Sequence, residues 1–475
     1  MALEGTDNLK RMFDIRRSEL DDSGDRLLSI DMPALRTHAV EVRRVIGRSG
    51  PFSLRYEVRS GERVHSGPID VEKARFSLRF RRGVDPDGAW QLRVEAVGPD
   101  ESWVKPLWSQ LLFVQSALRR SGEAIDELAQ RYAPIFVFSE REKYFPVSLR
   151  TLLRARPIRE SDEVMKIKTI FGKESIPLRR LGEFMRFNGH SEYLLDFNVF
   201  SMKRSVFASL GGDPRDAVIY YSYMEDPGSD RFFITYHQIY AYDTKTGLAR
   251  ITNIGPHVFD RESMILVFEG SDRPSSMIIS GHLENQTIFF LGKLKRWSQG
   301  RIRVPFDDER TLKFGDHPVI AVGEGSHALY PTSGEYQLSL LREIAGYVDR
   351  NVIRGRPPRA QAAIQPTQVL SPPSLGSGGV PTYGLRSLGL DRLTSRIRKK
   401  GDGADPYRAF LAFSGYWVDV PGTQNARFPP FTRNMTEIAD WVDGAYEWIW
   451  DDVPENYHQN NGLILRFLRE NLEDF

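Results

Sequence analysis

Three ionisable side chains, His257, Asp260 and Glu262, fall close together in the stretch NIGPHVFDRESMILVFEG, between a Gly-Pro turn and an apolar run. In an extended chain positions i and i+2 share a face, so Asp260 and Glu262 direct two carboxylates into one space. Their like charges repel. Such a pair needs a proton, an arginine or a cation, and a divalent ion answers the need when an imidazole three residues upstream completes the cluster. Two further histidines stand beside glycine at the ends of strand-like segments, His282 in SSMIISGH and His327 in GEGSHALYP. A sheet that gathers these ends would enlarge the ligand set. The alternative leaves Asp260 and Glu262 in a solvated turn with Arg261 between them, and the histidines hydrogen-bonded to backbone. Oxygen ligands with one or two imidazoles suit Ca²⁺, Mg²⁺ or Mn²⁺, whereas three histidines would favour Zn²⁺ or Fe²⁺.

Other chemistries are excluded or weak. The chain has no cysteine, which removes disulfides, thiolate metal sites, iron-sulfur clusters and thiol nucleophiles together. The segment VIAVGEGSHALYP (319–331) offers G-x-G-x-x-A after a strand, as in a dinucleotide-binding turn. That turn must open a helix whose amides face the pyrophosphate, and Pro331 followed by Thr-Ser-Gly forbids one. Neither a phosphate-binding G-x-x-x-x-G-K-[ST] loop, an H-E-x-x-H pair nor a G-x-S-x-G elbow is present.

The elements that would position these residues are mostly strands. Residues 50–98 contain GPFSLRYEVRS, ARFSLRFRRG and AWQLRVEAVG, alternating apolar and polar between turns such as DPDG, which predicts a small immunoglobulin-like β-sandwich over residues 1–117, without the paired cysteines. Such a module suggests docking of a protein partner. SGEAIDELAQRYAP predicts a short helix capped by Ser121 and closed by Pro134, a joint before the next domain. Strand-like pieces follow at 217–224, 231–243, 263–270, 275–282, 285–294 and 317–325, rich in β-branched and aromatic residues and closely spaced by turns. They predict a large antiparallel β-sandwich over 130–435.

Within it, 354–404 reads as a Pro/Gly/Ser-rich insertion ending near a basic cluster, SRIRKKGDG, which is either a solvated loop or an anion-binding surface. Residues 436–475 read as a helical C-terminal extension, with apolar residues at helical spacing in 435–450 and 460–472. Trp441, Trp448 and Trp450 serve there as packing residues or as a sugar-stacking platform. The fold class is therefore mainly β.

A chain of 475 residues with 40% hydrophobic and 11% aromatic residues can bury substantial cores. Its 65 Lys and Arg against 63 Asp and Glu give no global attraction for nucleic acid. The N-terminal stretch is charged rather than apolar, and no window reaches the roughly 18 apolar residues of a transmembrane segment. The expectation is a soluble protein, cytoplasmic by default, with export by a route lacking a classical signal left open.

Several of these motifs resemble known ones. HVFDRE is similar to the His-x-x-Asp-x-Glu core of the heptapeptide Gly-His-Arg-His-Asp-Trp-Glu of necrosis-inducing proteins. It also resembles the His-x-Gly-Asp-Trp-Glu of the family of vacuolar protein sorting-associated protein 62. RYAPIFVFSEREKYFPVSL (131–149) resembles the latter family's opening, where Tyr-Ala-Pro leads to a glutamate and an aromatic-Phe-Pro step. SSMIISGHLENQT resembles its Ser-x-His strand, HPVIAVGEGSHALYP its Gly-Ser-His-Ala-x-Tyr-Pro segment, and GYWVDVPG its closing Gly-x-Trp strand. The resemblance covers about 130–335 and 405–435 and implies a β-sandwich. From its toxin branch it implies Ca²⁺ or Mg²⁺ held by His257, Asp260 and Glu262. Two positions depart from the pattern: Phe259 replaces a Gly or His, and Arg261 replaces the Trp between the acids, where it either points away or pairs with them instead of a metal.

Three functions follow as expectations. The resemblance implies a divalent-cation-dependent binding protein recognising membrane lipid headgroups or glycans. A metal-dependent hydrolase of esters or phosphoesters would use His282 or His327 as acid or base. A scaffold would use the ion only for stability.

Overall fold

In a computed structural model of the protein, the residues described are 14–20, 22–23, 25–31, 51–60, 62–70, 75–81, 84–85, 88–114, 118–149, 151, 166–169, 175–177, 193–196, 210–226, 229–243, 257–280, 289–290, 293–294, 301–325, 327–337, 359–362, 366–376, 379–388, 416–417, 442–443, 445–447 and 457–472. The chain is mainly β. Among the described residues, seven strands build the N-terminal module: β1 (Asp14–Leu20), β2 (Arg26–Asp31), β3 (Ser53–Ser60), β4 (Arg63–Ile69), β5 (Arg75–Phe80), β6 (Gly88–Val97) and β7 (Val104–Val114). They form a three-stranded sheet, β1-β2-β5, and a four-stranded sheet, β4-β3-β6-β7, in the manner of an immunoglobulin-like sandwich. Alternation drives it: in β5, Phe76, Leu78 and Phe80 turn inward while their neighbours stay exposed, and they meet Leu54, Val58, Trp90, Leu92 and Val94 of the facing sheet. Trp90, fully buried against Phe80, occupies the centre.

A helix, α1 (Gly122–Arg131), follows, with the Ser121 hydroxyl accepting from the Ala124 amide as expected of an N-cap. Its buried face, Ile125, Leu128 and Ala129, joins the central core, and Tyr236 donates to the Ala129 carbonyl at 2.7 Å.

Two sheets form the sandwich of the central region among the described residues. We label their strands β8 (Ile135–Ser139), β9 (Val218–Glu225), β10 (Arg231–Asp243), β11 (His257–Glu269), β12 (Pro274–Ser280), β13 (Arg301–Pro305), β14 (Lys313–Phe314), β15 (His317–Val322), β16 (Leu329–Tyr330), β17 (Pro366–Leu370), β18 (Gly384–Ser387) and β19 (Tyr446–Glu447). The larger sheet has the order β18-β9-β10-β11-β12-β13-β19; the smaller is β14-β15-β8-β17, with β16 paired to β15. One buried cluster takes Ile234, Tyr236, Tyr240, Met264, Leu266, Phe268, Met277 and Ile279 from the large sheet and Phe136, Phe138, Ile320 and Leu329 from the small one. The two are therefore layers of one sandwich. The opposite face of the large sheet contributes Met224, Phe233, Ile265, Val267 and Ile278 to a second cluster with Val442.

The sandwich is not wholly antiparallel, as its sequence suggests. The edges β18 and β19 pair parallel with β9 and β13, and β8 pairs parallel with β15. Parallel partners require long connections, and here they arrive from distant parts of the chain, which local turn signals cannot reveal. The helix expected over 435–450 is corrected at Tyr446–Glu447, where sheet pairing with Ile302 and Arg303 overrides helical spacing. The C-terminal helix α2 (Tyr457–Leu472) is present and buries Ile464, Leu468 and Leu472 in the central core. Smaller sheets pair 166–169, 175–177, 193–196 and 416–417, then 289–290 with 293–294, and 334–337 with 359–362. Among the described residues no helix is long and apolar enough to cross a membrane. The basic cluster 395–403 and Trp441, Trp448 and Trp450 lie outside the described residues.

Candidate functional site

β11 is a thirteen-residue strand that begins at His257, so HVFDRE is extended chain inside the sheet rather than a turn before it. Alternation then assigns the faces. Met264, Leu266 and Phe268 lie in the core between the sheets, while Ile265 and Val267 lie on the far side. Positions 260 and 262 fall with the first set and Arg261, half-buried, with the second. Position 257, an odd number of residues from 260, falls in the other alternation from the acidic pair. Only the backbone of His257 and Asp260 is described, and His282 lies outside the described residues. Glu262 is 7% exposed, so it is a buried carboxylate.

Across the ladder, Glu262 stands opposite Gln238 and Asp260 opposite Tyr240 of β10. Gln238 and Tyr240 have no exposed surface. The Tyr240 hydroxyl donates to Gln238 Oε1, and Gln238 Nε2 is buried without a hydrogen-bond partner.

The smaller sheet brings His327 to the same place. Its ring stacks on that of Tyr240, with centroids 3.7 Å apart and planes inclined by 3°. VIAVGEGSHALYP is a hairpin from β15 to β16, pairing Ala321 with Tyr330 and Val322 with Leu329, which disposes of the dinucleotide turn. Gly325 has φ +64° and His327 φ +54°. A side chain in that left-handed region is strained by about 1–2 kcal/mol, and such strain persists only where surrounding contacts over-determine the conformation. Here they do: the His327 amide donates to Gly323 O at 2.8 Å, and the Gly323 amide donates to Ala328 O.

Glu142, on the loop after β8, completes the arrangement. Its Oε1 accepts from the amides of Lys143 and Tyr144, at 2.9 and 3.0 Å, and its Oε2 from Gly325 at 2.8 Å. His327 Nε2 lies 3.8 Å from Oε1, at ion-pair distance. Burial raises the Glu142 pKa, but His327 and the Gly325 and Tyr144 amides outweigh it and hold the carboxyl below the usual range.

The structure thus brings His327 beside Tyr240, the register partner of Asp260, and adds Glu142, Gln238 and Tyr240, which were not among the residues singled out from the sequence. Glu142 had a signal, as the glutamate before the aromatic-Phe-Pro step of EKYFP. Gln238 and Tyr240 had only their inward positions in a strand rich in aromatics.

Among the described residues there is no group of three or more His, Asp or Glu placed to hold a metal ion. For the ion that the sequence resemblance implies, β11 offers a buried carboxylate, Glu262, with position 260 on the same face, whereas the open end of the Gln238 amide is an N–H donor and not a ligand. Hard oxygens at such positions match Ca²⁺ or Mg²⁺.

No protein-family model matches the chain, and no curated protein matches it. Among solved structures, it is similar to Necrosis and Ethylene inducing Protein 2 from the causal agent of cocoa's Witches Broom disease, with TM-score 0.27 and 11% identity, covering 68% of this chain and 91% of that one. An overlap of this size leaves the architecture to be read from the strand topology itself.

Proposed function

We propose that this chain is a divalent-cation-dependent binding protein whose ion is held by Asp260 and Glu262 and whose ligand is an oxygen-rich group, a membrane lipid headgroup or a glycan. The observation that carries the reading is the burial of Glu262 in β11, on the face shared by position 260. Two acids on one face of a strand repel, and a divalent ion is one way to offset that repulsion. Bound there, the ion would neutralise the pair and bridge it to phosphate or hydroxyl oxygens of the ligand. His257, expected from the sequence to complete the cluster, lies in the opposite alternation of β11 and is not assigned to this ion; His282 stays a candidate from the sequence alone.

Binding is favoured over hydrolysis by the condition of His327. It has no exposed surface, stacks flat on Tyr240 and faces Glu142 at 3.8 Å. A histidine so enclosed positions its neighbours; a general acid or base must reach substrate or water.

The test is elemental analysis of purified wild type beside Asp260→Asn and Glu262→Gln, followed by sedimentation with phosphatidylserine vesicles and a glycan array, each with and without chelator. Metal in wild type alone, with chelator-sensitive binding to one ligand class, is expected. Equal metal in all three proteins would remove the site. Metal loss that lowers only the melting temperature, with every ligand assay empty, would assign the ion a stabilising role.

A further inference from the structure

His317 opens β15, and Ser374 lies in a single 3₁₀ turn, Pro373–Leu375, that follows β17. Ser374 is exposed, and its hydroxyl stands 3.5 Å from His317 Nε2 and 3.4 Å from the Gln130 carbonyl oxygen. His317 is 7% exposed, and its Nδ1 lies 2.7 Å from the Ala133 carbonyl oxygen. A carbonyl only accepts, so Nδ1 carries the proton and Nε2 of the neutral ring offers a lone pair to the hydroxyl. Burial lowers the His317 pKa against the opposing effects of that carbonyl and of Asp316, which keeps the ring neutral at neutral pH.

Both residues are fixed to one stretch of chain. The Tyr383 amide donates to the Ser371 carbonyl at 3.1 Å and closes the loop that carries Ser374. The Tyr383 hydroxyl then donates to the Pro134 carbonyl at 2.8 Å, one residue beyond the carbonyl that holds His317. A nucleophile and a base held in this way need little reordering to react. Ser222 and His237 form a closer pair, 3.1 Å apart, but they are only 6% and 2% exposed. A substrate carbonyl can reach Ser374, whereas Ser222 is enclosed.

We propose that Ser374 is a nucleophile and His317 its general base, an acyl-transfer pair acting on carboxylic esters. The pair uses none of the residues assigned to the cation. Ser374 Oγ bonds to the ester carbonyl carbon while its proton passes to His317 Nε2; the ester C–O bond breaks, and the departing oxygen takes that proton. Water then attacks the acyl-serine and gives a proton to Nε2, which returns it to Ser374 Oγ as the carboxylic acid leaves. A carboxylic ester is favoured over a phosphate monoester because a neutral imidazole brings no positive charge to a phosphoryl dianion, and the neighbouring Arg131 guanidinium is tied to Asp316 at 2.8 Å.

The experiment treats full-length protein, in chelator, with a fluorophosphonate probe and with para-nitrophenyl acetate, comparing wild type, Ser374→Ala and His317→Gln. Near-UV circular dichroism serves as the control for folding. The serine oxygen displaces fluoride from the probe and keeps the phosphonyl group, so peptide mass spectrometry identifies the residue. Wild type is expected to be labelled at Ser374 and to release nitrophenolate, and Ser374→Ala to lose both. His317→Gln is expected to react on the order of a hundredfold more slowly, the lower end of what general-base assistance supplies. Ser121 and Ser271 are also exposed and serve as unactivated references. Labelling of Ser374 no faster than that of Ser121 or Ser271, or undiminished in His317→Gln, would overturn the proposal. Should His317→Gln fail to fold, the comparison with the two reference serines decides. Chelator keeps the cation out of the outcome, so this proposal and the cation reading can fail separately.

Discussion

Replacing Glu142 by glutamine exchanges one oxygen for an amino group at a point where three backbone amides converge. In the wild type, Oε1 serves Lys143 and Tyr144 and Oε2 serves Gly325, at 2.8–3.0 Å, with the His327 ring 3.8 Å away. Glutamine has one carbonyl oxygen, so its amino group must face either the Lys143 and Tyr144 amides or the Gly325 amide, donor against donor. One charge-assisted hydrogen bond is lost, about 1.5–3 kcal/mol, and a buried donor is left unsatisfied, about 1–3 kcal/mol. The two contributions overlap, so about 3 kcal/mol is expected for Glu142→Gln. Glu142→Ala, which strips all three amides and the His327 partner, should reach about 3–5 kcal/mol, the range for breaking a buried ion pair. Against a typical total of about 5–15 kcal/mol, either is a severe loss. Urea denaturation followed by near-UV circular dichroism measures it, and hydrogen exchange at the Gly325 amide localises it. A Glu142→Gln protein within about 0.5 kcal/mol of wild type, with Gly325 still protected, would refute the reasoning.

Other perturbations have defined outcomes. His317 is buried, with Nδ1–H donating to the Ala133 carbonyl at 2.7 Å, and burial lowers its pKa while that carbonyl partly opposes the change. The folded protein therefore resists protonation where the unfolded chain, near pH 6.5, accepts it. Its contribution is present above that pH and is lost as pH falls toward the lower folded value; His317→Gln should flatten the fall in melting temperature on acidification, and an unchanged profile would contradict this. Ser121→Ala removes the cap of α1 and should destabilise by about 1 kcal/mol, read as a lower urea midpoint. Leu468→Ala opens the contact of α2 with the central core, where the side chain is fully buried, and should cost about 2–5 kcal/mol; a smaller loss would mean that α2 is dispensable to that core.

Much of the architecture was legible in local pattern. The strict alternation of ARFSLRF fixes which residues of β5 turn inward, and Ser121 and Pro134 bracket α1. β4 was missed because RVHSGPI is largely exposed, with no apolar stripe to mark it, and β19 because two residues of strand lie within a helix-like apolar spacing. The acidic pair was legible too, since a spacing of two in an extended chain leaves no choice of face. The contrast between a solvated turn and a buried strand was not, because both are compatible with the same hexapeptide.

The linear order of residues determined that this chain is mainly β, that its N-terminal strands close a small sandwich, and that two carboxylates two residues apart must share a side of β11. These are short-range consequences of side-chain period and turn chemistry. Tertiary structure decided that Glu262 is buried opposite Gln238, that Tyr240 meets His327, and that Glu142 receives an amide from Gly325, 183 positions away in sequence. Strand register and the stacking of two sheets set those encounters, and both are settled by the packing of the whole core, in which each segment's partners are supplied by others far along the chain.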